Sequence, residues 1–423
     1  MTLWAALPKP TPIFNAVTAH PPLSPQEILA GPFGLLAFLP LIPLILLLAR
    51  RRPRAALILG GLVWLLPTLQ LTTTAVLLGG VLVASTYILL LGELRRRNQI
   101  GPRTMIALVW VGLHLLALPL WWHAQQPWYP SRMAALHNVG FSYFLFRFIA
   151  WGVDLAREPR PPTRLTDTLC WLLYPPCMRL GPVLGRQEFL ARLDAWDPRH
   201  IPAWREGVKR FALFLLGGVG LAVVGRQIPT IAANAPDFFA EPQLFATGKL
   251  VRVFYLIPIQ IYLLLWTYNE LAVALSCWLG IRVDDNFNRL PLATSVRDFW
   301  HRWHITVGSW LRNYIYIPLG GNRRHVTLNT LAVFGYCGLW HGASWSFLAW
   351  GLSQAIALTV QRAWDHAWQR SGRRPPAGPL WTAVCWLLTM HYQIATIVVF
   401  ADFEHLGWRL FRELGRRVAG GGA

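Results

Sequence analysis

The sequence has few charged residues and almost no lysine. Only 14% of its 423 residues are charged and 54% are hydrophobic, whereas a soluble domain carries about 25% charged residues. Lysine occurs only as Lys9, Lys209 and Lys249, so the net charge of +20 comes almost wholly from arginine. Together with long apolar runs, this scarcity of charge excludes an ordinary soluble domain and indicates a polytopic membrane protein.

Cysteine is also scarce, and a cleavable signal peptide is not apparent. The five cysteines are scattered, mostly within apolar segments, and show no metal-ligand spacing. We therefore expect neither a structural disulfide nor a bound metal. The N-terminus lacks the short basic segment and small-residue cleavage site of a signal peptide, so we expect the first span to stay as an anchor.

The arginines cluster at the ends of apolar runs and do not line one polar face. A nucleic-acid partner is therefore not expected. The arginine clusters instead indicate membrane topology and contacts with lipid head groups. The N-terminal clusters are Arg50–Arg54, Arg95–Arg97 and Arg157–Arg164. If each intervening span crosses once, the positive-inside rule places these clusters in the cytoplasm and the N-terminus outside.

The pattern predicts an all-α bundle of roughly nine to eleven membrane segments, some of them re-entrant. Residues 168–186 are broken by Pro175, Pro176, Gly181 and Pro182, which favours a re-entrant segment. Residues 187–206 and 281–300 are predicted cytoplasmic segments, and residues 226–248 an external loop. The predicted spans are Phe33–Ala49, Ala55–Leu71, Thr74–Gly92, Met105–Trp122, Val139–Ala156, Val208–Val224, Leu250–Leu279 and Leu380–Phe400.

We divide the chain into four parts, and the boundary at residue 131 follows the family resemblance given below. Residues 1–30 form a Pro-rich lead-in, and residues 31–130 hold the N-terminal transmembrane helices. Residues 131–400 form the core, and residues 401–423 form a basic tail. The first division follows the loss of periodic pattern before residue 31, and the last follows the end of the final apolar run.

The core contains a stretch rich in histidine and tryptophan, residues 297–351. An imidazole inside the bilayer is costly unless it faces a polar cavity, so these histidines are the first functional candidates. Trp300, Trp303, Val307, Leu311 and Tyr314 recur on one face of a predicted interfacial helix. His304 lies beside that face, whereas His301 is expected at the interface and His325 in a solvated loop.

His341 interrupts an apolar run at residues 328–360, within LWHGASW. This pattern predicts a hairpin of two short helices with His341 near its middle. The small residues after it, Gly342, Ala343 and Ser344, allow a ligand or backbone to approach closely. Shielded from water, an imidazole stays neutral near pH 7 and can act as a general base. The alternative is a histidine that only hydrogen-bonds a neighbouring helix.

Further candidates surround these two histidines. No Ser–His–Asp set is apparent, because Ser344 lies near His341 without an acid as third member. The turn Gly320–Arg323 offers amides and a guanidinium to an anionic group. Arg147 has two alternatives, which are snorkelling near the interface or facing a polar cavity and holding substrate. The residues expected to bind substrate are Trp303, Arg312, Asn313, Asn322, Arg323, Trp340, Ser344 and Arg147.

Three motifs resemble the signature region of the membrane-bound O-acyltransferases. They are DNFNRLPLATSVRDFWHRWHIT (285–306), SWLRNYIYIPLGGNR (309–323) and GLWHGASWSFLAWG (338–351). The resemblance is to the bacterial branch with the alginate O-acetylation and teichoic acid D-alanylation proteins. Weaker similarity at 139–147 and 174–186 extends it over about residues 130–400.

This resemblance implies a helical bundle with a central tunnel in the bacterial inner membrane. It implies His341 as the catalytic histidine and His304 as the second histidine of the site. An acyl group, acetyl as the first expectation, would move from a cytoplasmic acyl-CoA or acyl-carrier-protein thioester to an extracytoplasmic polysaccharide hydroxyl. The resemblance implies no bound cofactor, and it suggests an extracytoplasmic partner protein of the SGNH type.

The sequence departs from the family pattern at three places. Asn313 stands where the family usually has Asp, which leaves any carboxylate role there without its group. Tyr268, Asn269 and Glu270 replace the family's Tyr-Ser-Asp and keep an acid in longer form. The C-terminal part is also short, so a terminal helix or partner-docking element is expected to be missing.

Two other functional classes stay open. A transporter or flippase for lipid-linked glycans fits the polytopic form and the basic loops, but it predicts internal repeats and charges spread over several spans. Neither is evident in the sequence. A non-catalytic assembly protein would tolerate the loss of both His304 and His341.

Overall fold

The computed structural model describes residues 32–123, 141–158, 164–178, 181–227, 238–239, 241–342, 344–372, 376–402 and 407–419. Every regular element in these ranges is helical, and no β-strand occurs in them. The predicted all-α class is confirmed. The predicted lead-in at residues 1–30 lies outside the described residues.

The described helices follow the apolar runs closely from residue 102 onward. Short 3₁₀ turns cover Pro32–Phe38, Pro175–Cys177, Pro242–Leu244 and Leu290–Leu292, and a π turn covers Arg312–Tyr316. In chain order the α-helices are α1 (Leu41–Ala49), α2 (Pro53–Arg96), α3 (Pro102–His123), α4 (Phe141–Arg157), α5 (Leu165–Leu172), α6 (Arg186–Asp194), α7 (Trp204–Gly225), α8 (Thr247–Leu279), α9 (Val296–Arg302), α10 (Ile305–Leu311), α11 (Val326–His341), α12 (Trp345–Ser371), α13 (Pro379–Ala401) and α14 (Trp408–Ala419).

The described residues form two compact units. The first contains α1 to α6, the part of α7 up to Leu216 and the end of α8 with the loop to Asp285. The second contains the remaining parts of α7 and α8 and the chain from Asn286 onward, with α9 to α14. Each unit buries its own set of aromatic and aliphatic side chains, for example Trp171 in the first and Trp303 in the second.

Four helical stretches of the described residues are long and apolar enough to cross a bilayer. They are Thr74–Arg96 within α2, then α7, α8 and α13. Large apolar side chains on these stretches face outward, including Leu82, Leu90, Leu216 and Leu388. Such side chains are stable against lipid tails and costly in water. The chain is therefore a multi-pass membrane protein.

The N-terminal spans differ from the prediction. Residues 55–92 were predicted to form two spans, but α2 is one continuous helix of 44 residues. At 1.5 Å per residue its ends lie roughly 66 Å apart, more than a bilayer's thickness. Arg54 and Arg95 therefore lie at opposite ends of one helix. The prediction of an extracytoplasmic N-terminus assumed that the chain crosses the membrane twice between these two arginine clusters. A single helix between them removes that assumption. The first predicted span is also broken, at Pro40 between the 3₁₀ turn and α1.

The described parts of the predicted re-entrant segment, residues 168–178 and 181–186, are broken and mostly buried. α5 ends at Leu172, and the 3₁₀ turn Pro175–Cys177 follows with both prolines buried. The Tyr174 hydroxyl donates a 2.6 Å hydrogen bond to the Ile281 carbonyl, which ties this irregular backbone to the loop after α8. Irregular backbone is thus held by protein contacts, as a low-polarity environment requires.

The predicted hairpin at residues 328–360 is confirmed as α11 and α12. The two helices cross with their backbones in contact at Gly338 and Gly351. A β-carbon on Gly351 would lie 3.3 Å from the Gly338 Cα, and one on Gly338 would lie 2.9 Å from the Phe347 carbonyl carbon. Glycine is required here because only it lets two helix backbones approach this closely. This contact fixes the position of His341, three residues beyond Gly338.

Candidate functional site

His341 is the last residue of α11 and presents an exposed imidazole. Gly342 ends the helix, and a β-carbon at this position would lie 2.7 Å from the ring of Phe347. Ser344 then caps α12, because its hydroxyl accepts a 3.2 Å hydrogen bond from the Ser346 amide. Gly342 and Ser344 therefore lie between the end of α11 and the start of α12, and the close approach of Phe347 to Gly342 is of the kind predicted for these small residues.

Aromatic rings from three helices contact the His341 imidazole. Ring centroids of Trp340, Phe400, Trp350 and Phe347 lie 4.6, 4.9, 5.5 and 5.9 Å from it. Trp350 and Phe400 present their rings nearly perpendicular to the imidazole. No described residue hydrogen-bonds the His341 side chain. The ring is therefore held by packing while its nitrogens stay available, which favours the functional interpretation over the purely structural one.

His304 lies in a break between two helices. One continuous helical face from Trp300 to Tyr314 was predicted, and this prediction is wrong: α9 ends at Arg302 and α10 begins at Ile305. His304 adopts a left-handed backbone conformation with φ 46° and ψ 49°. Trp303 and His304 are each 8% exposed, so both are buried within the protein. The ring of Phe287 packs 6.1 Å from the His304 imidazole.

The second unit brings His304 and His341 together. They lie close enough that a positive charge on one imidazole would repel a positive charge on the other. Trp300 and Trp350 connect the two elements, with ring centroids 6.0 Å apart. The Trp300 indole donates a 3.1 Å hydrogen bond to the Gln354 side chain on α12. Both histidines therefore belong to the second unit, and their joint role in one site stays a prediction.

The remaining candidates of this unit lie on the turn between α10 and α11. Arg312 and Asn313 are exposed within the π turn, and Asn322 and Arg323 are exposed after the two glycines. Asn322 accepts a 2.7 Å hydrogen bond from the Tyr316 hydroxyl. A π turn inside a helix occurs often at functional sites. The turn therefore presents two guanidinium groups, those of Arg312 and Arg323, on one short segment.

The backbone amides of this turn are already used. The Gly320 amide donates a 3.0 Å hydrogen bond to the Ile317 carbonyl, and the Gly321 amide donates a 2.9 Å hydrogen bond to the Tyr316 carbonyl. The Arg323 amide donates a 3.0 Å hydrogen bond to the Gly320 carbonyl. The predicted anion site built on glycine amides is therefore not formed by these three groups. The Asn329 side chain closes the turn by donating to the Gly321 carbonyl at 3.0 Å. An anion bound at this turn would contact the exposed side chains of Asn322 and Arg323 instead of these three backbone amides.

Arg147 belongs to the first unit, where its contacts hold the end of α5 in place. Its guanidinium donates to the carbonyls of Trp171 and Leu172 at the end of α5 and lies 4.6 Å from the Trp171 ring. The side chain is 1% exposed, so the snorkelling alternative is wrong. A cation at a helix C-terminus satisfies its free carbonyls and its dipole. A contact of Arg147 with substrate stays a prediction.

An ion-pair cluster in the first unit was not foreseen from the sequence. Arg210 on α7 contacts Glu206 at 2.7 Å, Glu270 on α8 at 3.1 Å and Asp285 at 2.8 Å. Glu270 is the acid that replaces the family's Asp, and it is buried. Its partner explains how a carboxylate is tolerated at this depth. No spacing rule links Arg210 to Glu270, because they lie on different helices.

The comparisons with known proteins agree with these motifs. A sequence model of the membrane-bound O-acyltransferase family matches residues 104–401. A peptidoglycan O-acetyltransferase of Helicobacter pylori is 37% identical over 313 residues, covering 67% of this chain and 56% of that protein. A probable alginate O-acetylase of Azotobacter vinelandii is 30% identical over 282 residues, covering 64% of this chain and 52% of that protein.

A third relative is more distant in sequence but closer in length. A teichoic acid D-alanyltransferase of Streptococcus thermophilus is 23% identical over 316 residues, covering 70% of this chain and 75% of that protein. The chain spans about half the length of the O-acetylase relatives that it matches. The matched region contains both His304 and His341.

Proposed function

The chain belongs to the membrane-bound O-acyltransferase family, and we propose that it is an O-acyltransferase of the bacterial inner membrane. It moves an acyl group, acetyl as the first expectation, from a cytoplasmic thioester to a hydroxyl on the outer side. The observation that carries this proposal is the exposed imidazole of His341, held by aromatic rings and close to His304.

His341 acts as the general base. Its imidazole takes the proton of the acceptor hydroxyl, and the oxygen attacks the thioester carbonyl carbon. The C–S bond then breaks, and the leaving thiolate receives the proton from the His341 imidazolium. Atoms and charges balance without a metal or a bound cofactor. The aromatic rings around His341 hold its imidazole in one orientation for this proton transfer.

His304 assists in the neutral form. Because positive charges on both imidazoles would repel each other, His304 stays neutral while His341 carries the proton. A neutral imidazole can donate a hydrogen bond to the thioester carbonyl oxygen and stabilise the charge that develops there. Trp303, Trp340 and Ser344 border the two histidines and would limit the size of the acyl group and the acceptor.

The donor is an acyl-CoA or acyl-carrier-protein thioester. Both carry phosphate groups, and Arg312 and Arg323 present exposed guanidinium groups that bind phosphate well. Asn313 and Asn322 lie beside them and would hydrogen-bond the donor. Arg323 at the start of α11 and Arg370 at the end of α12 lie at one end of this hairpin, opposite His341. The positive-inside rule places that end in the cytoplasm.

The acceptor is a hydroxyl of an extracytoplasmic polysaccharide or of a partner protein. Relatives named for alginate, peptidoglycan and teichoic acid support an envelope polymer as the final acceptor. A partner of the SGNH type would complete the transfer to the polymer in one version of this proposal.

The N-terminus is proposed to be extracytoplasmic. A fusion of alkaline phosphatase to the N-terminus tests this orientation: phosphatase activity supports it, and an inactive but intact fusion overturns it.

A deletion strain distinguishes acyl transfer from the transporter alternative. We expect the strain without this protein to export its surface polysaccharide at the normal level but without O-acyl groups. Complementation by the wild-type chain restores the acyl groups, measured as base-released acid per sugar residue. Loss of the exported polysaccharide itself would contradict the proposal and favour transport of a lipid-linked glycan.

A further inference from the structure

His304 has a backbone conformation that needs support from its surroundings. Its φ of 46° and ψ of 49° lie in the left-handed region, which is unfavourable for a residue with a β-carbon. Such a conformation persists only where neighbouring contacts enforce it, and it occurs often at functional sites. Three consecutive residues, Asn286, Phe287 and Asn288, supply contacts to the His304 turn.

The backbone of these three residues pairs with both sides of the His304 turn. The Asn288 amide donates a 3.1 Å hydrogen bond to the Arg302 carbonyl, just before Trp303. The Ile305 amide donates a 3.0 Å hydrogen bond to the Asn286 carbonyl, just after His304. The chain is therefore fixed on each side of the two-residue segment Trp303–His304.

The Asn286 side chain adds the contact that a backbone alone does not supply. Its Oδ1 accepts a 3.0 Å hydrogen bond from the Thr306 amide and a 2.6 Å hydrogen bond from the Thr306 hydroxyl. The first amides of a helix lack partners within the helix, so Asn286 caps α10 from outside. Asn286 is fully buried, which strengthens these bonds and makes their loss costly.

Phe287 packs against the side chains of Trp303 and His304. Its ring lies 5.3 Å from the Trp303 ring, nearly perpendicular to it, and 6.1 Å from the His304 imidazole. Asn288, in contrast, is exposed and uses only its backbone in the contacts described above. Two asparagines of one short segment thus differ in whether their side chains support the turn.

We propose that Asn286 is the positioning residue of the site, which holds His304 in its left-handed conformation and aims the imidazole toward His341. Asn286 acts through the Thr306 cap and touches no reacting atom. This inference rests on the proposed function of His304, but the conformation that Asn286 maintains is measurable without any acyl transfer.

The test compares three variants of the full-length protein in detergent. Asn286→Ala removes the cap, Asn286→Asp keeps an acceptor oxygen, and Asn288→Ala is the matched control in the same segment. Diethyl pyrocarbonate, which modifies accessible imidazoles, is the probe, and peptide mass spectrometry gives the rate at each histidine. His366 is exposed and reports reagent dose, whereas His114 is half-buried in the first unit and reports general unfolding.

The expected result is specific to His304. Asn286→Ala raises the modification rate of His304 at least about fivefold and leaves His114 unchanged. In cells it lowers polysaccharide O-acylation by about ten- to a hundredfold, since a misplacement near 1 Å has such effects. Asn288→Ala behaves as wild type in both measurements, and Asn286→Asp, which keeps the acceptor oxygen but buries a carboxyl group, stays closer to wild type than Asn286→Ala does; a role in general stability alone would not produce this order.

Two results would overturn the inference. One is wild-type protection of His304 in Asn286→Ala, and the other is equal exposure of His114, which would make Asn286 a residue of general stability. Failure of the proposed function looks different, because His304→Ala would then keep full O-acylation while Asn286→Ala still exposes His304.

Discussion

Replacing Gly338 by alanine should separate α11 from α12 and displace His341. The added β-carbon would lie 2.9 Å from the carbonyl carbon of Phe347, and ordinary contact begins at 3.4 Å. The shortfall at that carbon, 3.4 minus 2.9, is 0.5 Å; the Phe347 carbonyl oxygen lies closer still, and both atoms are backbone that cannot rotate away. Overpacking of this kind costs about 1–3 kcal/mol. Phe347 also packs on the His341 ring, so a shift of this size reaches the site directly.

Gly335→Ala is the matched control on the same helix. Its added β-carbon would meet only Leu352 Cδ2, at 3.8 Å, which is ordinary contact. We expect Gly335→Ala to keep wild-type thermal stability in detergent and wild-type polysaccharide O-acylation. Gly338→Ala should aggregate at a lower temperature and lose roughly tenfold or more of the O-acylation. Equal behaviour of the two variants would refute the argument that backbone contact at Gly338 sets the position of His341.

Three further predictions concern other parts of the chain. His304→Ala should abolish most O-acylation while the exposed neighbour His301→Ala keeps it, and the reverse order would contradict the pairing of His304 with the site. Arg147→Ala should lower the free energy of unfolding in detergent by about 1–3 kcal/mol, because the carbonyls at the end of α5 lose their hydrogen-bond donor. An unchanged free energy of unfolding would contradict this capping role. Hydrogen bonds from arginines at the end of α14 lower the pKa of Glu413 to about 2. This stabilisation is present above the ordinary carboxyl pKa and is lost only as pH falls through about 2. Trypsin should therefore cleave α14 equally slowly between pH 6 and 9, and faster in Glu413→Gln; equal cleavage of both proteins would contradict it.

The sequence predicts the central hairpin well for a physical reason. A long apolar run interrupted once by Gly342 and Ser344 can fold only as two helices with a turn between them. The structure places α11 and α12 there, with His341 at the junction. The aromatic partner of His341 on α13, Phe400, is separated from it in sequence and could be identified only from the structure.

The break at His304 shows where periodicity fails. Trp300, Trp303 and Val307 recur at helical spacing, which is why one helix was predicted. Tertiary contacts from Asn286 and Phe287 override that local preference and force a left-handed residue between two short helices. A motif containing these residues could be recognised from sequence, but the physical role of its asparagine could not.

The opposite error occurred at the N-terminus. Two spans were predicted, one ending at Leu71 and one beginning at Thr74, whereas α2 continues through this threonine-rich place. Threonine is compatible with a helix because its hydroxyl can bond the preceding turn, so it is a weak stop signal. The predicted orientation depended on that interruption and needs the fusion experiment described above.

O-acylation in a strain that carries His341→Ala tests the central claim most directly. The matched control is His366→Ala, an exposed histidine on α12, and both variants must be present in the membrane at the wild-type level. We predict that His341→Ala leaves the polysaccharide exported but without O-acyl groups, as in the deletion strain, while His366→Ala is fully acylated. Full acylation with His341→Ala would contradict the assignment of His341 as the general base.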